Sequence, residues 1–99
     1  MTAKQAQVVN DIASYVAKNG GQYSEWYVGI AADPKNRLFK DHAVSQPSGQ
    51  WIYDYCATSA EAREVEQHFF SKGAKGGPGG GDNTTKAIYA YKITNSTIE

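Results

Sequence analysis

Three side chains in this chain have types and spacings that suggest chemistry as well as packing: Tyr27, Arg37 and Glu66. Glu66 is the most telling of them. At roughly 100° per residue, Ala62, Val65, Phe69 and Phe70 form an apolar arc, and Glu66 falls inside it, whereas Glu64 lies on the opposite face. A carboxylate in an apolar stripe is costly unless it is paired or binds a metal. Two readings follow, a salt bridge to Arg37 or a lysine, and a cation site. Arg37 follows Tyr27 by ten residues; taken alone it reads as a surface helix residue, although a guanidinium is a planar fork able to grip two oxygens of an oxyanion at once. Tyr27, immediately before Val28-Gly29, is either a core strand tyrosine or a source of phenol chemistry. His42, five residues beyond Arg37, is either catalytic or a cap for a helix C-terminus.

The elements that must hold these groups can be read from periodicity and punctuation. Ala6, Val9, Ile12, Ala13 and Val16 recur at helical spacing over residues 2 to about 18, and Asn19-Gly20-Gly21 supplies a stop. Gln22 to Ala32, rich in aromatic and β-branched residues, predicts a strand. Asp33-Pro34 then offers an N-cap and a first-turn proline for a short helix, roughly Pro34 to His42. Ala43 to Gln50 reads as a loop, and Trp51 to Ala57 as a strand with Trp51, Tyr53 and Tyr55 on one face. Thr58-Ser59-Ala60-Glu61 matches a capping box that opens a helix to about Lys72.

Glycine dominates Gly73 to Asp82, but there is neither a GxxxxGK[ST] nor a GxGxxG between strand and helix. That stretch is expected to be a mobile connector, with backbone N–H groups near a phosphate as the functional alternative. Thr85 to Asn95 predicts a last strand with Tyr89, Tyr91 and Ile93 on one face. The expected fold class is α/β, a small three-stranded, largely antiparallel sheet flanked by helices, in one domain of 99 residues.

The segment WYVGIAADPKNRLFKDH resembles the second half of the GIY-YIG nuclease signature, in which Tyr-(Ile/Val)-Gly, a short turn and Asp-x-x-x-Arg recur with this spacing. The strand Trp51 to Ala57 and the helix carrying Ala62 and Glu66 resemble the family's next elements. The resemblance thus covers roughly Gln22 to Lys72, about half of the chain. It implies hydrolysis of nucleic-acid phosphodiesters, DNA before RNA, with Mg²⁺ or Mn²⁺ as cofactor. Tyr27 would orient or deprotonate the water, Arg37 would hold the phosphate and Glu66 would hold the cation. His42 lies near a family histidine that usually follows the arginine by four residues, and Asn83 resembles an asparagine placed after the glutamate helix. Lys35, Lys40 and Lys75, from two basic clusters, join Asn83 as expected nucleic-acid contacts.

The first half of the signature, Gly-Ile-Tyr about ten residues before Tyr-Ile-Gly, is absent from its expected place. Ser14-Tyr15-Val16 belongs to the amphipathic helix and is not taken as the substitute. Ala87-Ile88-Tyr89 looks like Gly-Ile-Tyr with the glycine replaced, and Ala-Tyr-Lys-Ile follows it much as the family's first strand continues. The expectation is a circularly permuted domain. In it the last strand pairs antiparallel beside that of Tyr27, brings the Tyr89 hydroxyl into the site, and leaves the N-terminal helix to pack on the sheet.

Composition sets the limits. Ten basic and ten acidic residues give zero formal charge, which removes the simplest electrostatic case for nucleic-acid binding and makes any phosphate binding local. That neutrality, with the missing Gly-Ile-Tyr, supports the rival reading of a catalytically inactive module that binds nucleic acid or protein. Cys56, the single cysteine, excludes an intrachain disulfide and a CxxC site, and is read as a strand-packing residue. The polar opening lacks the apolar core of a signal peptide and no run is long enough for a membrane span, so a cytoplasmic protein with no membrane partner is expected. With no room for a targeting domain, specificity would come from loops or a protein partner.

Overall fold

A computed structural model of the protein describes residues 1–77 and 84–99. Helix α1 (Ala3–Lys18) starts where Thr2 and Gln5 satisfy each other's backbone N–H groups in a capping box. Gln5, Val8, Ile12 and Val16 form its buried stripe. The buried Gln5 side chain also reaches α3 (Ser59–Ser71), donating to the Glu61 carbonyl at 3.3 Å and to Glu64 Oε1 at 3.2 Å. The helix ends at Asn19, followed by Gly20 (φ +124°) and Gly21 (φ +79°), a left-handed reversal that glycine makes without a Cβ penalty.

The strand expected from Gln22 begins later, because Tyr23–Glu25 form a 3₁₀ turn in which the Tyr23 ring packs on Phe69. β1 (Trp26–Ala31) follows, buried along its whole length. Asp33 caps α2 (Pro34–Asn36), accepting from the Asn36 N–H at 3.1 Å, and Arg37–Asp41 continue it as a π turn. β2 (Trp51–Tyr55) and β3 (Ala87–Lys92) complete an antiparallel sheet in the order β1-β3-β2.

The structure is a small α/β fold, with a three-stranded antiparallel sheet and three helices among the described residues. The last strand lies beside that of Tyr27, and α1 packs on the sheet, as expected. Tyr15, set aside as a catalytic candidate, plays a structural part: its hydroxyl accepts from the Trp51 N–H at 3.0 Å on edge strand β2. No helix of the described residues is long and apolar enough to cross a membrane.

Register divides the sheet into two unlike faces. Pairing of Tyr27 with Tyr91 and Tyr91 with Trp51, and of Gly29 with Tyr89 and Tyr89 with Tyr53, gathers the aromatic residues on one face. Leu38 and Val44 pack there beside Tyr27, Tyr89 and Tyr91. The other face presents Trp26, Val28, Ile30, Ile88 and Ala90 to the buried stripes of α1 and α3, and Cys56 belongs to this second core.

The first residues of the glycine-rich stretch differ from expectation. They are held against the free edge of β1, where the Val28 N–H donates to the Lys75 carbonyl and the Lys75 N–H to the Trp26 carbonyl, both at 2.8 Å. This parallel bridge seals an edge that would otherwise expose unpaired backbone. Gly76 permits it: a Cβ there would stand 2.3 Å from the Phe70 ring and 2.7 Å from the Val28 carbonyl. The remainder of the stretch, including Asn83, lies outside the described residues. Gly76→Ala should therefore cost about 1–3 kcal/mol through overpacking, lowering Tm by roughly 4–8 °C per kcal/mol for a chain of this size. It should also speed amide exchange at Val28, measured by hydrogen exchange; unchanged protection there would refute the seal.

Candidate active site

β1 is the outermost strand on its side of the sheet, so groups from both faces meet at its edge. Tyr27, Gly29, Ile30, Arg37, Glu66, Gly77 and Tyr89 line a hollow there of about 20 Å³. A cavity needs roughly 10–15 Å³ to hold a water, so the hollow has room for about one. Larger surface grooves, such as one of about 480 Å³ formed by Met1, Arg63, Glu64, Gln67 and His68, gather no comparable set of groups.

Gly29 is the opening that makes this meeting possible. A Cβ at Gly29 would lie 2.5 Å from the Tyr89 hydroxyl oxygen and 2.7 Å from the ring carbon bearing it. Only a residue without a side chain lets the Tyr89 ring cross β1. The Tyr27 ring stacks on Tyr91 (5.2 Å between centroids) and on Tyr89 (6.4 Å), and its hydroxyl accepts from the Gly77 N–H at 3.0 Å.

Arg37 brings its charge from the far end of α2. Its Nε is shielded from solvent without a hydrogen-bond partner, and the nearest carboxylate oxygen is Asp41 Oδ2, at 3.7 Å. The guanidinium is held firmly cationic, first by the Tyr89 phenol beside it. Glu66, 8% exposed, belongs to the buried stripe of α3 with Ala62, Val65 and Phe69, as its helical phase predicts. The salt bridge to Arg37 or a lysine is not formed: the ion pair found among the described residues is Arg37–Asp41. Burial pushes the Glu66 carboxyl above its ordinary range, with Arg63 pulling weakly the other way.

Tyr89 is 1% exposed, and burial raises its phenol to about 12, against the pull of Arg37. A phenol of that strength is ionised to only about one part in 10⁵ at neutral pH, so it cannot wait as a phenolate. Its partner is His42, whose Nε2 lies 2.8 Å from the Tyr89 oxygen. His42 is reached through the π turn, where its N–H donates to the Arg37 carbonyl at 2.9 Å, five residues back. A π turn holds one residue more than an α turn. Position 42 therefore takes up the rotational place that a residue four beyond Arg37 would have in a regular helix. The segment then leaves through Ala43 at φ +55°, a left-handed conformation costing an alanine about 1–2 kcal/mol.

The structure thus brings together Tyr27, Arg37, Glu66 and Tyr89, with His42 directly behind Tyr89. Lys35, Lys40 and Lys75 are exposed and do not line the hollow; Lys75 contributes its backbone to the β1 edge. Sequence reasoning missed Gly29 and Tyr91. The signal for Tyr91 was its place two residues from Tyr89 on the same strand face. Cys56 is buried and its thiol is raised by burial, which suits packing and leaves it unreactive.

A divalent cation fits this donor set in one respect. Among the described residues Glu66 is buried without an ion pair, and Mg²⁺ commonly takes one or two carboxylates, keeping waters and substrate phosphate oxygens as its other ligands. No cluster of three or more acidic, histidine or cysteine side chains that could hold an ion by itself occurs among the described residues. Fold and site together define a small α/β protein with an acid, a guanidinium and two phenols around a water-sized hollow. The chain matches no family model, and no curated protein or solved structure matches it significantly.

Burial without a partner carries a stability cost. Because the Glu66 pKa is raised on folding, the folded state binds its proton more tightly than the unfolded chain does. The group then costs nothing in acid below the ordinary carboxylate range, and destabilises increasingly as pH rises through its folded pKa. Glu66→Gln should melt higher than the parent at neutral pH in metal-free buffer, and the gap should close as pH is lowered. A lower Tm for the glutamine variant at neutral pH would mean that Glu66 has an ionic partner after all.

Proposed function

We propose that this chain is a metal-dependent nuclease of the GIY-YIG type, circularly permuted, so that Ala87-Ile88-Tyr89 stands in for Gly-Ile-Tyr. One observation carries the reading: Arg37, the buried Glu66 and the phenols of Tyr27 and Tyr89 converge on a hollow the size of a water. The antiparallel pairing of β3 with β1 supports it, because that pairing puts Tyr89 against Gly29 and within 6.4 Å of the Tyr27 ring. The π turn supports it too, since it accommodates the interval of five between Arg37 and His42 where the resemblance implies four.

In this reading a water in the hollow attacks the phosphorus of a phosphodiester, DNA before RNA. Tyr27 orients it. The Tyr89 oxygen takes the water's proton while its own proton passes to His42 Nε2, so that the relay ends on an imidazolium and no free phenolate forms. Arg37 grips the non-bridging oxygens, where charge accumulates. Glu66 would hold Mg²⁺ or Mn²⁺, which supplies charge neutralisation at the leaving oxygen. Lys35, Lys40 and Lys75 are proposed as contacts to the nucleic-acid backbone, and with zero net charge a protein partner is proposed to supply specificity. Zero net charge also favours the second reading, a catalytically inactive module of the same fold that binds nucleic acid or protein.

A plasmid-nicking assay with and without Mg²⁺ separates the two. The parent should nick only with the metal, Arg37→Ala should lose about 10²–10³-fold, and Glu66→Gln should fall to background. Cleavage that persists in both variants would expose a contaminating nuclease. No cleavage by any of the proteins, across metals and substrates, would leave the binding module.

A further inference from the structure

We infer that the segment 94–98 is a positioning device that locks the tautomer of His42, through the backbone of Ile98 and the hydroxyl of Tyr91. The Ile98 N–H donates to the His42 carbonyl at 2.7 Å, and His42 Nδ1 lies 2.7 Å from the Ile98 carbonyl oxygen. A carbonyl oxygen can only accept, so Nδ1 must carry a hydrogen and donate it. The Tyr91 hydroxyl closes the triangle, 3.0 Å from Nδ1 and donating to the same carbonyl at 3.2 Å. In the neutral ring this leaves the lone pair on Nε2, facing the Tyr89 hydroxyl at 2.8 Å. The hydrogen bond at one ring nitrogen sets the role of the other.

The segment is built to reach that place through its backbone. Thr94 and Thr97 fold it back on itself: the Thr94 N–H donates to Thr97 Oγ1 at 2.9 Å, and that hydroxyl donates to the Thr94 carbonyl at 3.1 Å. The turn starts from a fixed point, the Ile93 N–H donating to the Glu25 carbonyl at 2.8 Å. The Ile98 side chain is 59% exposed, so burial of that side chain does not explain why the segment sits against His42. Its backbone groups do, and they bear on the one imidazole nitrogen whose protonation decides what the other can do for Tyr89. With the opposite tautomer, Nε2–H would donate to the Tyr89 oxygen and the relay could not accept a proton.

This role deepens the nuclease reading, but it can be measured apart from it. The chain contains two histidines, and half-buried His68 on α3 is an internal reference. Long-range ¹H–¹⁵N correlation at about pH 8.5, where an ordinary imidazole is neutral, should find His42 as the Nδ1–H tautomer. A chain ending at Asn95, and Ile98→Pro in the full chain, should both move His42 toward Nε2–H while His68 stays unchanged. Where the parent nicks DNA, both should lose about 10²-fold in kcat with KM little altered. An Nε2–H tautomer in the parent overturns the inference even if neither variant folds, as does an unchanged tautomer in a folded variant. Absence of nicking with the expected tautomers would sink the nuclease reading and leave the lock standing.

Discussion

Everything in the site depends on the register of β1 against β3, which sets Gly29 opposite Tyr89. In an antiparallel pair a shift of one residue turns every side chain to the other face. It would bury the tyrosines of β3 among the aliphatic residues of α1 and α3, and offer Ile88 and Ala90 to Arg37 instead. Both faces oppose such a slip. One carries the hydrophobic packing of Trp26, Val28, Ile30, Ile88 and Ala90, and the other carries the stacked rings of Tyr27, Tyr91 and Tyr89. The missing Cβ at Gly29 is what that register makes useful, since it lets a rigid ring pass over the strand to the edge where α3 presents Glu66.

The features that serve the hollow are ones that cost stability elsewhere in proteins. Glu66 occupies a stripe position that a leucine would fill more favourably, and Ala43 holds a backbone angle that favours glycine. The π turn sacrifices regular helical bonding. These concessions are concentrated in the segments that deliver Arg37, His42 and Glu66, while α1, which does not line the hollow, has a satisfied capping box and a buried stripe whose one polar member, Gln5, is hydrogen-bonded to α3. Strain gathered in this way is common at functional sites, and here it coincides with the residues singled out on chemical grounds.

Much of this was legible in the sequence, for local reasons. Asp33 and Thr58 mark helix starts by the hydrogen bonds their side chains can make, and each accepts from the N–H three residues on. The capping box expected at Thr58–Glu61 is half formed, since the Glu61 carboxylate accepts from Thr2 Oγ1 instead of turning back to Thr58. The phase of Glu66 follows from helical periodicity alone. Strand ends were less legible, because Tyr23–Glu25 and Ile93 keep ladder-like backbone contacts without strand geometry. Glycine content misled at residues 73–77, where Gly73 serves a left-handed turn (φ +107°) and Gly76 and Gly77 serve close approach, to Phe70 and to the Tyr27 hydroxyl. The engagement of Ile98 with His42 joins positions 56 residues apart through backbone atoms, which no side-chain pattern could announce.

The strength of the Tyr89 phenol ties these parts into one argument. Raised to about 12, it is too weak an acid to serve as a base unaided, so in the proposed relay its usefulness to a water would rest on a neighbour able to take its proton, and the neighbour at 2.8 Å is His42. That neighbour reaches Tyr89 only because the helix after Arg37 widens by one residue, and it presents a lone pair only because Nδ1 is engaged from the far end of the chain. Arg37 pulls the same phenol toward ionisation, and the buried Glu66 opposes that pull. A cation held by Glu66 would cancel that opposition, since the carboxylate's charge would then be spent on the ion. Arg37 and Glu66 thus act in opposite senses on one phenol across a hollow with room for about one water, and under the proposed function neither residue's part could be assigned without the other.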